Sequence, residues 1–343
     1  MRWSRAGSLL TILCLLLAYA LAGCSGATTH PSVSTAALPI LPLPSQLAGY
    51  HIFVTDLATG DLSELGLHTW HVSQSIHGLG LSSDGRRLYV TDISGSNLIA
   101  YTLHGDKIGD RRATPVGSSP VHAVEALDGR TVYVTNFGGA SISVIDTTTW
   151  TQKRTIAVPA APHAIVLSPD GRLAYVSCYG GAAIAVLDTQ QATLTATIAL
   201  PAGSQPYGIA LSRDGRYLYA SDNLTGRLFV VDTQSRRVLP SVLVGNHPAL
   251  IARSPDGTTL YVTNGGSHSV SVLDIGQDPA RPRVRATIAV DGYPHGLAVT
   301  PDGRYLVVAN TISRNISVVD TQSEHVIATI PGEKFPNDVI IPA

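Results

Sequence analysis

The side chains of this sequence best suited to chemistry are three histidines, His77, His163 and His295, that recur at one place in a repeated pattern. Neutral imidazole binds divalent metals and ligates haem iron, and its titration near neutrality lets it move protons. Val121, Tyr207, Ala249 and Asn337 fill the same place in other copies, and His122 follows it by one residue. A second recurrent place holds Asp56, Asp92, Asn136, Cys178, Asp222, Asn264 and Asn310. A carboxylate there could orient an imidazole, as Asp92 beside His77, or serve as a base, as Asp56, Asp92 or Asp222. Cys178 could add a sulfur ligand. His77, His163 and His295 aimed at one axis would hold a divalent metal, with Cys178 or a carboxylate beside them. The same side chains could instead line a water-filled channel or recognise a small ligand or peptide. No HExxH, CxxC, GxSxG, P-loop or dinucleotide fingerprint is present, so no compact motif names a reaction. His51, His68, His71, His104, His247, His268 and His325 are scattered, and no role is assigned to them.

These residues can meet only if the elements bearing them converge. Asp-Gly recurs at 84/85, 128/129, 170/171, 214/215, 256/257 and 302/303, at spacings of 42 to 46 residues. A strand-like marker follows each, from Leu88-Tyr-Val-Thr-Asp92 to Leu306-Val-Val-Ala-Asn310, and Ile52-Phe-Val-Thr-Asp56 adds a seventh copy. The unit after Pro162 shows the content of one repeat. Four β-prone runs, His163 to Leu167, Leu173 to Ser177, Ala183 to Leu187 and Leu194 to Leu200, are separated by Ser-Pro-Asp-Gly, Gly-Gly and Asp-Thr turns. Asp-Gly between two such runs marks a hairpin, because glycine accepts positive φ without steric cost. A period of this length with four strands (a to d) predicts a β-propeller blade. The recurrent carboxylates of the Asp-Gly and Asp-Thr pairs read as turn-makers.

The first unit lacks strand a, and the chain ends on an orphan strand from Asn337 to Ile341. Joining the two gives an all-β, seven-bladed propeller of four-stranded antiparallel blades, closed by the C-terminal strand. Closure also removes an open sheet edge. Strands a then start near the central channel, on the face built from the b-to-c and d-to-a connections. If each a–b hairpin is symmetric about Asp-Gly, His77 faces Asp92, His163 faces Cys178, Tyr207 faces Asp222 and His295 faces Asn310. A bulge would shift that pairing by one residue.

Tyr-Val-Thr-Asn at 133–136 and 261–264, with Ser-Pro-Asp-Gly and Val-Val-Asp-Thr nearby, resembles the YVTN-type β-propeller repeat over about residues 50–343. The resemblance implies the seven-bladed fold. Similar propellers occur in surface-layer proteins, lactonases, quinoprotein dehydrogenase subunits and the haem d1 domain of nitrite reductases, so it does not choose a function. The first expectation is a binding or scaffold module for a protein, peptide or small ligand at the channel face. The alternatives are a metal-dependent hydrolase or lyase resembling propeller lactonases, and a redox or haem-handling protein.

Residues 1–23 read as a signal peptide, with Arg2 and Arg5 before an apolar run from Leu9 to Leu21. Leu-Ala-Gly-Cys at 21–24 resembles the lipobox of bacterial lipoproteins, which implies cleavage before Cys24 and lipid on its sulfur. Residues 24–48, rich in Ser, Thr, Ala and Pro, read as a tether, and 49–343 as the propeller. The expected location is the cell envelope: the outer membrane or periplasm if there are two membranes, otherwise the outer face of the cell membrane. Without residues 1–23 the chain has 21 Lys and Arg against 24 Asp and Glu, a formal charge of −3. That balance, with no basic run, excludes nucleic acid as the main partner. With Cys24 acylated, Cys178 is the single free thiol, and no internal disulfide can form.

Overall fold

The computed structural model describes residues 43–104, 107–332 and 334–342. The expected signal peptide, Cys24 and most of the tether lie outside them. No helix among the described residues is long and apolar enough to cross a membrane.

The chain forms seven four-stranded antiparallel sheets. Blades 2 to 7 each use four consecutive strands, with strands a at Ile76–Leu81, Pro120–Glu125, Pro162–Leu167, Pro206–Leu211, Pro248–Arg253 and Pro294–Val299. Blade 1 pairs the C-terminal strand Pro336–Ile340 with Phe53–Asp56, Asp61–Glu64 and His68–His71. Each strand a packs on the strand a of the next blade, and Pro336–Ile340 packs on both Pro294–Val299 and Ile76–Leu81, so the ring closes. The cores lie between neighbouring blades. One joins Tyr175, Ile184 and Val186 of blade 4 to Ile209, Leu218 and Phe229 of blade 5. Leu47, in a short 3-10 turn at Ser45–Leu47, is fully buried with Ile52 and Tyr305. The packed body therefore begins a few residues before the expected boundary at 49.

The repeated turn residues bind one another. In blade 4 the Asp170 carboxylate accepts the Arg172 N–H at 3.1 Å, and the Thr189 hydroxyl of the Asp-Thr pair donates to the Gly171 carbonyl at 2.6 Å. Thr233 and Thr321 do the same to Gly215 and Gly303. Gly171 itself sits at φ +69°, which explains its fixed place.

The hairpin register differs from the symmetric expectation at its channel end. Near the turn the symmetric pairs hold, as Leu79 with Val90, but a bulge then places Ile76, not His77, opposite Asp92. Likewise Pro162 faces Cys178, Pro206 faces Asp222 and Pro294 faces Asn310. A strand-b hydroxyl compensates the bulge. Thr135 accepts the His122 N–H at 3.0 Å and donates to the His163 carbonyl of the next blade at 2.7 Å. Thr55, Thr91, Ser177, Ser221 and Thr263 make the same donation to the carbonyls of His77, Val121, Tyr207, Ala249 and His295. The recurrent Thr or Ser of the strand-b marker is thus a latch between blades.

Candidate functional site

The latches hold the first residues of strands a around the axis, where four imidazoles meet. The ring centres of His77 lie 5.4 Å from His122, 5.4 Å from His163 and 5.8 Å from His295, and those of His122 and His163 are 5.0 Å apart. His77, His163 and His295 are buried, and His122 is half-buried. Tyr207 stacks on His163 with ring centres 3.6 Å apart.

His295 has both nitrogens engaged. Its Nδ1 lies 2.9 Å from the Asn337 carbonyl, which can only accept, so Nδ1 carries the proton. Its Nε2, 2.9 Å from the Tyr207 hydroxyl, is then the acceptor. The bond to the Asn337 carbonyl stands where a latch is missing: strand b of blade 7 has Ala309 in place of Thr or Ser. The other three rings are different. His77 Nδ1, His122 Nε2 and both nitrogens of His163 are buried with no hydrogen-bond partner.

Burial holds all four histidines below their ordinary pKa. His77 and His163 are lowered well below it by desolvation and then by the neighbouring imidazoles. Burial, with the His295 charge second, brings His122 to about 3. Burial also lowers His295, with the Asn337 carbonyl working the other way. The cluster is therefore neutral at pH 7. Burial raises the Tyr207 phenol far above its usual value, so it stays a donor.

Two aromatic residues, Phe137 and Tyr179, edge the cluster, and Tyr293 lies in a connection on the same face. Phe137 is 6.1 Å from His163 and 6.0 Å from Tyr179, and Tyr179 is 6.0 Å from Tyr207. Phe137 and Tyr179 begin the 3-10 turns Phe137–Gly139 and Tyr179–Gly181, straight after strand b. Tyr293 precedes strand a of blade 7, and all three are half-buried.

The structure gathers His77, His122, His163, Tyr207, His295 and Asn337, and turns the strand-b ends elsewhere. Asp92 does not orient His77. Its carboxylate accepts from Ser73, Ser94, Gly95 and Asn97. Burial opposes its ionisation, but those donors outweigh it and hold the pKa below the usual carboxylate value. Asp222 accepts the Gln205 N–H at 2.6 Å and the Thr225 hydroxyl, and Asp56 accepts the Ala58, Thr59 and Phe335 N–H groups. Asn310 donates to Asn315 and Ser317. All of these side chains fasten connections and are not placed to act as bases. Cys178 is fully buried, its thiol 3.7 Å from the Val176 carbonyl, and burial pushes its pKa to about 12. It is an inert core residue and no ligand. His295, expected among the metal ligands, has both nitrogens in hydrogen bonds, and the three histidines whose ring nitrogens cluster within 4.8 Å are His77, His122 and His163.

Sequence reasoning missed Phe137, Tyr179 and Tyr293. The available signal was aromatic residues directly after strand b in blades 3 and 4, where other blades carry Leu57, Ile93, Asn223, Gly265 or Thr311. It also missed Asp338, a buried carboxyl that accepts the Leu79 N–H at 2.9 Å. Burial raises its pKa to about 6.

No curated protein matches the chain. Among solved structures, hydrazine synthase of Kuenenia stuttgartiensis is 21% identical at a TM-score of 0.67, over 78% of this chain and 91% of that one. The periplasmic gluconolactonase of Pseudomonas aeruginosa is 20% identical at a TM-score of 0.75, over 86% of this chain and 99% of that one. Likeness at this identity carries the fold alone. The family model described as "Lactonase, 7-bladed beta-propeller" matches residues 45–327. The chain belongs to the seven-bladed β-propeller lactonase family.

Proposed function

We propose that the protein is a lactone hydrolase working at the axial histidine cluster. One observation carries this: in a propeller of the lactonase family, neutral imidazoles with unpartnered nitrogens converge under an aromatic rim. A lactone ring has faces that stack on Phe137 and Tyr179 and an ester carbonyl that can turn toward the cluster. Neither cluster nor rim contains a Lys or Arg to hold a phosphate, which favours a neutral, hydroxylated lactone over a phosphorylated one. The Tyr207–His295–Asn337 chain fixes the His295 side of the cluster in a single tautomer. A channel-face scaffold would need the same residues but gives no reason for neutral imidazoles with free nitrogens. Ring centres this close leave no slot between them for a porphyrin. Anchoring through lipid on Cys24 at the cell envelope belongs to the same proposal and rests on the sequence.

The test is hydrolysis of an aldonolactone such as glucono-δ-lactone by purified protein, measured against spontaneous opening. Wild type accelerates the reaction, and His122→Phe and His163→Phe each lower kcat/KM by about a hundredfold or more. A wild-type rate equal to buffer across neutral lactones overturns the proposal.

A further inference from the structure

We infer that His77, His122 and His163 form a binding site for one transition-metal dication of the zinc type. The inference goes beyond the hydrolase reading and stands on geometry alone.

Each histidine offers a ligand nitrogen, and these atoms lie within 4.8 Å of one another. Two nitrogens on a tetrahedral zinc are about 3.4 Å apart, from Zn–N bonds of about 2.05 Å. Small side-chain rotations, with the backbone fixed, would close the difference. That backbone is fixed by latches, since Thr55 holds the His77 carbonyl and Thr135 holds both the His122 N–H and the His163 carbonyl. Three consecutive blades thus present three imidazoles from one rigid frame.

The polar accounting points the same way. A buried ring nitrogen without a partner is costly, about 1–3 kcal/mol for an unsatisfied group. Here four such nitrogens sit on three adjacent rings: His77 Nδ1, His122 Nε2, and His163 Nδ1 and Nε2. The fourth ring, His295, spends both nitrogens on Asn337 and Tyr207 and falls outside the ligand set. The division between partnered and unpartnered rings coincides with the division between bystander and ligand.

The donor set selects the ion. Three neutral imidazoles with no carboxylate suit zinc, copper or nickel, whereas calcium, magnesium and manganese prefer oxygen. Three protein ligands leave one position open, the pattern of zinc sites that polarise a carbonyl or activate water.

The experiment uses untagged protein stripped with chelator, zinc ion alone as the probe, and calcium and manganese as controls. Isothermal titration and elemental analysis are expected to give one tightly held zinc per chain and no comparable calcium or manganese binding. His122→Gln and His163→Gln each weaken zinc by on the order of a hundredfold or more, whereas His295→Gln stays within a few fold of wild type. Circular dichroism checks that each variant is folded. If a variant fails to fold, Co(II) in wild-type protein decides instead, since three imidazoles give a visible absorption that zinc displaces. The inference is overturned if wild type binds no zinc in excess of calcium, or if added Co(II) keeps the weak pink absorption of the free aqueous ion. It is also overturned if His295→Gln costs as much as His163→Gln. Zinc binding without lactone hydrolysis would refute the proposed function and leave this site standing; hydrolysis without zinc would do the reverse.

Discussion

Replacing Thr135 by Val is expected to destabilise the protein by about 3 kcal/mol. Valine nearly matches threonine in shape, so the change removes one hydroxyl and little volume. That hydroxyl is fully buried, and it accepts the His122 N–H and donates to the His163 carbonyl. Both backbone groups would be left without this partner. At about 1–3 kcal/mol for each orphaned group the loss is about 2–6 kcal/mol, offset in part by the extra apolar surface of the valine methyl. Set against a total stability of about 5–15 kcal/mol, the effect is large. Thr135→Ser keeps the hydroxyl and loses one methyl, which costs about 1 kcal/mol. Serine already performs this task at Ser177 and Ser221. The assay is urea unfolding of both variants at pH 7, reading the midpoint at unchanged slope. If Thr135→Val cost no more than Thr135→Ser, the latch would be incidental, and the account of the bulge and of how the histidines are held would be wrong.

Asp338 supplies a pH dependence of known sign. Its folded pKa is raised to about 6, so between pH 7 and pH 5 the folded state takes up a proton that the unfolded state does not, and stability from this group rises as pH falls. Relative to Asp338→Asn, wild type should gain about 1 kcal/mol on going from pH 7 to pH 5; an unchanged difference between the two unfolding midpoints would contradict this. Deleting residues 336–342 uncovers strand b of blade 1 and removes the buried side chains of Val339 and Ile341. That apolar loss alone is about 4 kcal/mol, and it should lower the calorimetric Tm by about 10 °C or abolish the transition. An unaltered Tm would mean that the ring does not depend on its closing strand.

The blades were legible because their signals are local. Asp170-Gly171 and Asp188-Thr189 lie within one unit and bind each other directly, so their spacing carries the geometry. Closure was legible because the first unit lacks strand a and the last residues supply one. The one-residue shift at the channel was not, because the bulge depends on hydroxyls that reach into the next blade. The pattern of Thr or Ser at 55, 91, 135, 177, 221 and 263 was visible, but only the packed ring shows which carbonyls they meet. His77 and His163 were found because they share a position. His122, one residue further on, was expected at the channel face but not among the metal ligands; beside the bulge its ring still reaches that of His163. Cys178 and Asp222 share a position too, yet they end a strand fully paired to strand c, and their side chains belong to the core and to a loop. Asp338 looks like any strand residue in sequence; its burial and its partner Leu79 come from the opposite end of the chain.

The departure from the repeat at Ala309 bears most directly on the axis. Six blades spend a strand-b hydroxyl on the neighbouring carbonyl, and the imidazole rings have no part in that bond. In the blade without the hydroxyl, the carbonyl of Asn337 is taken by His295 itself, which fixes that ring's tautomer and directs its Nε2 to Tyr207. One loss in the latch series therefore turns a potential ligand into a structural strut. The axis becomes one-sided as a result: blades 2, 3 and 4 carry imidazoles with free nitrogens, while blades 5, 7 and 1 carry a closed chain of Tyr207, His295 and Asn337. A symmetric ring of repeats acquires a directed site in this way, because chemistry needs some polar groups locked and others left available, and here the repeat and its exception supply both.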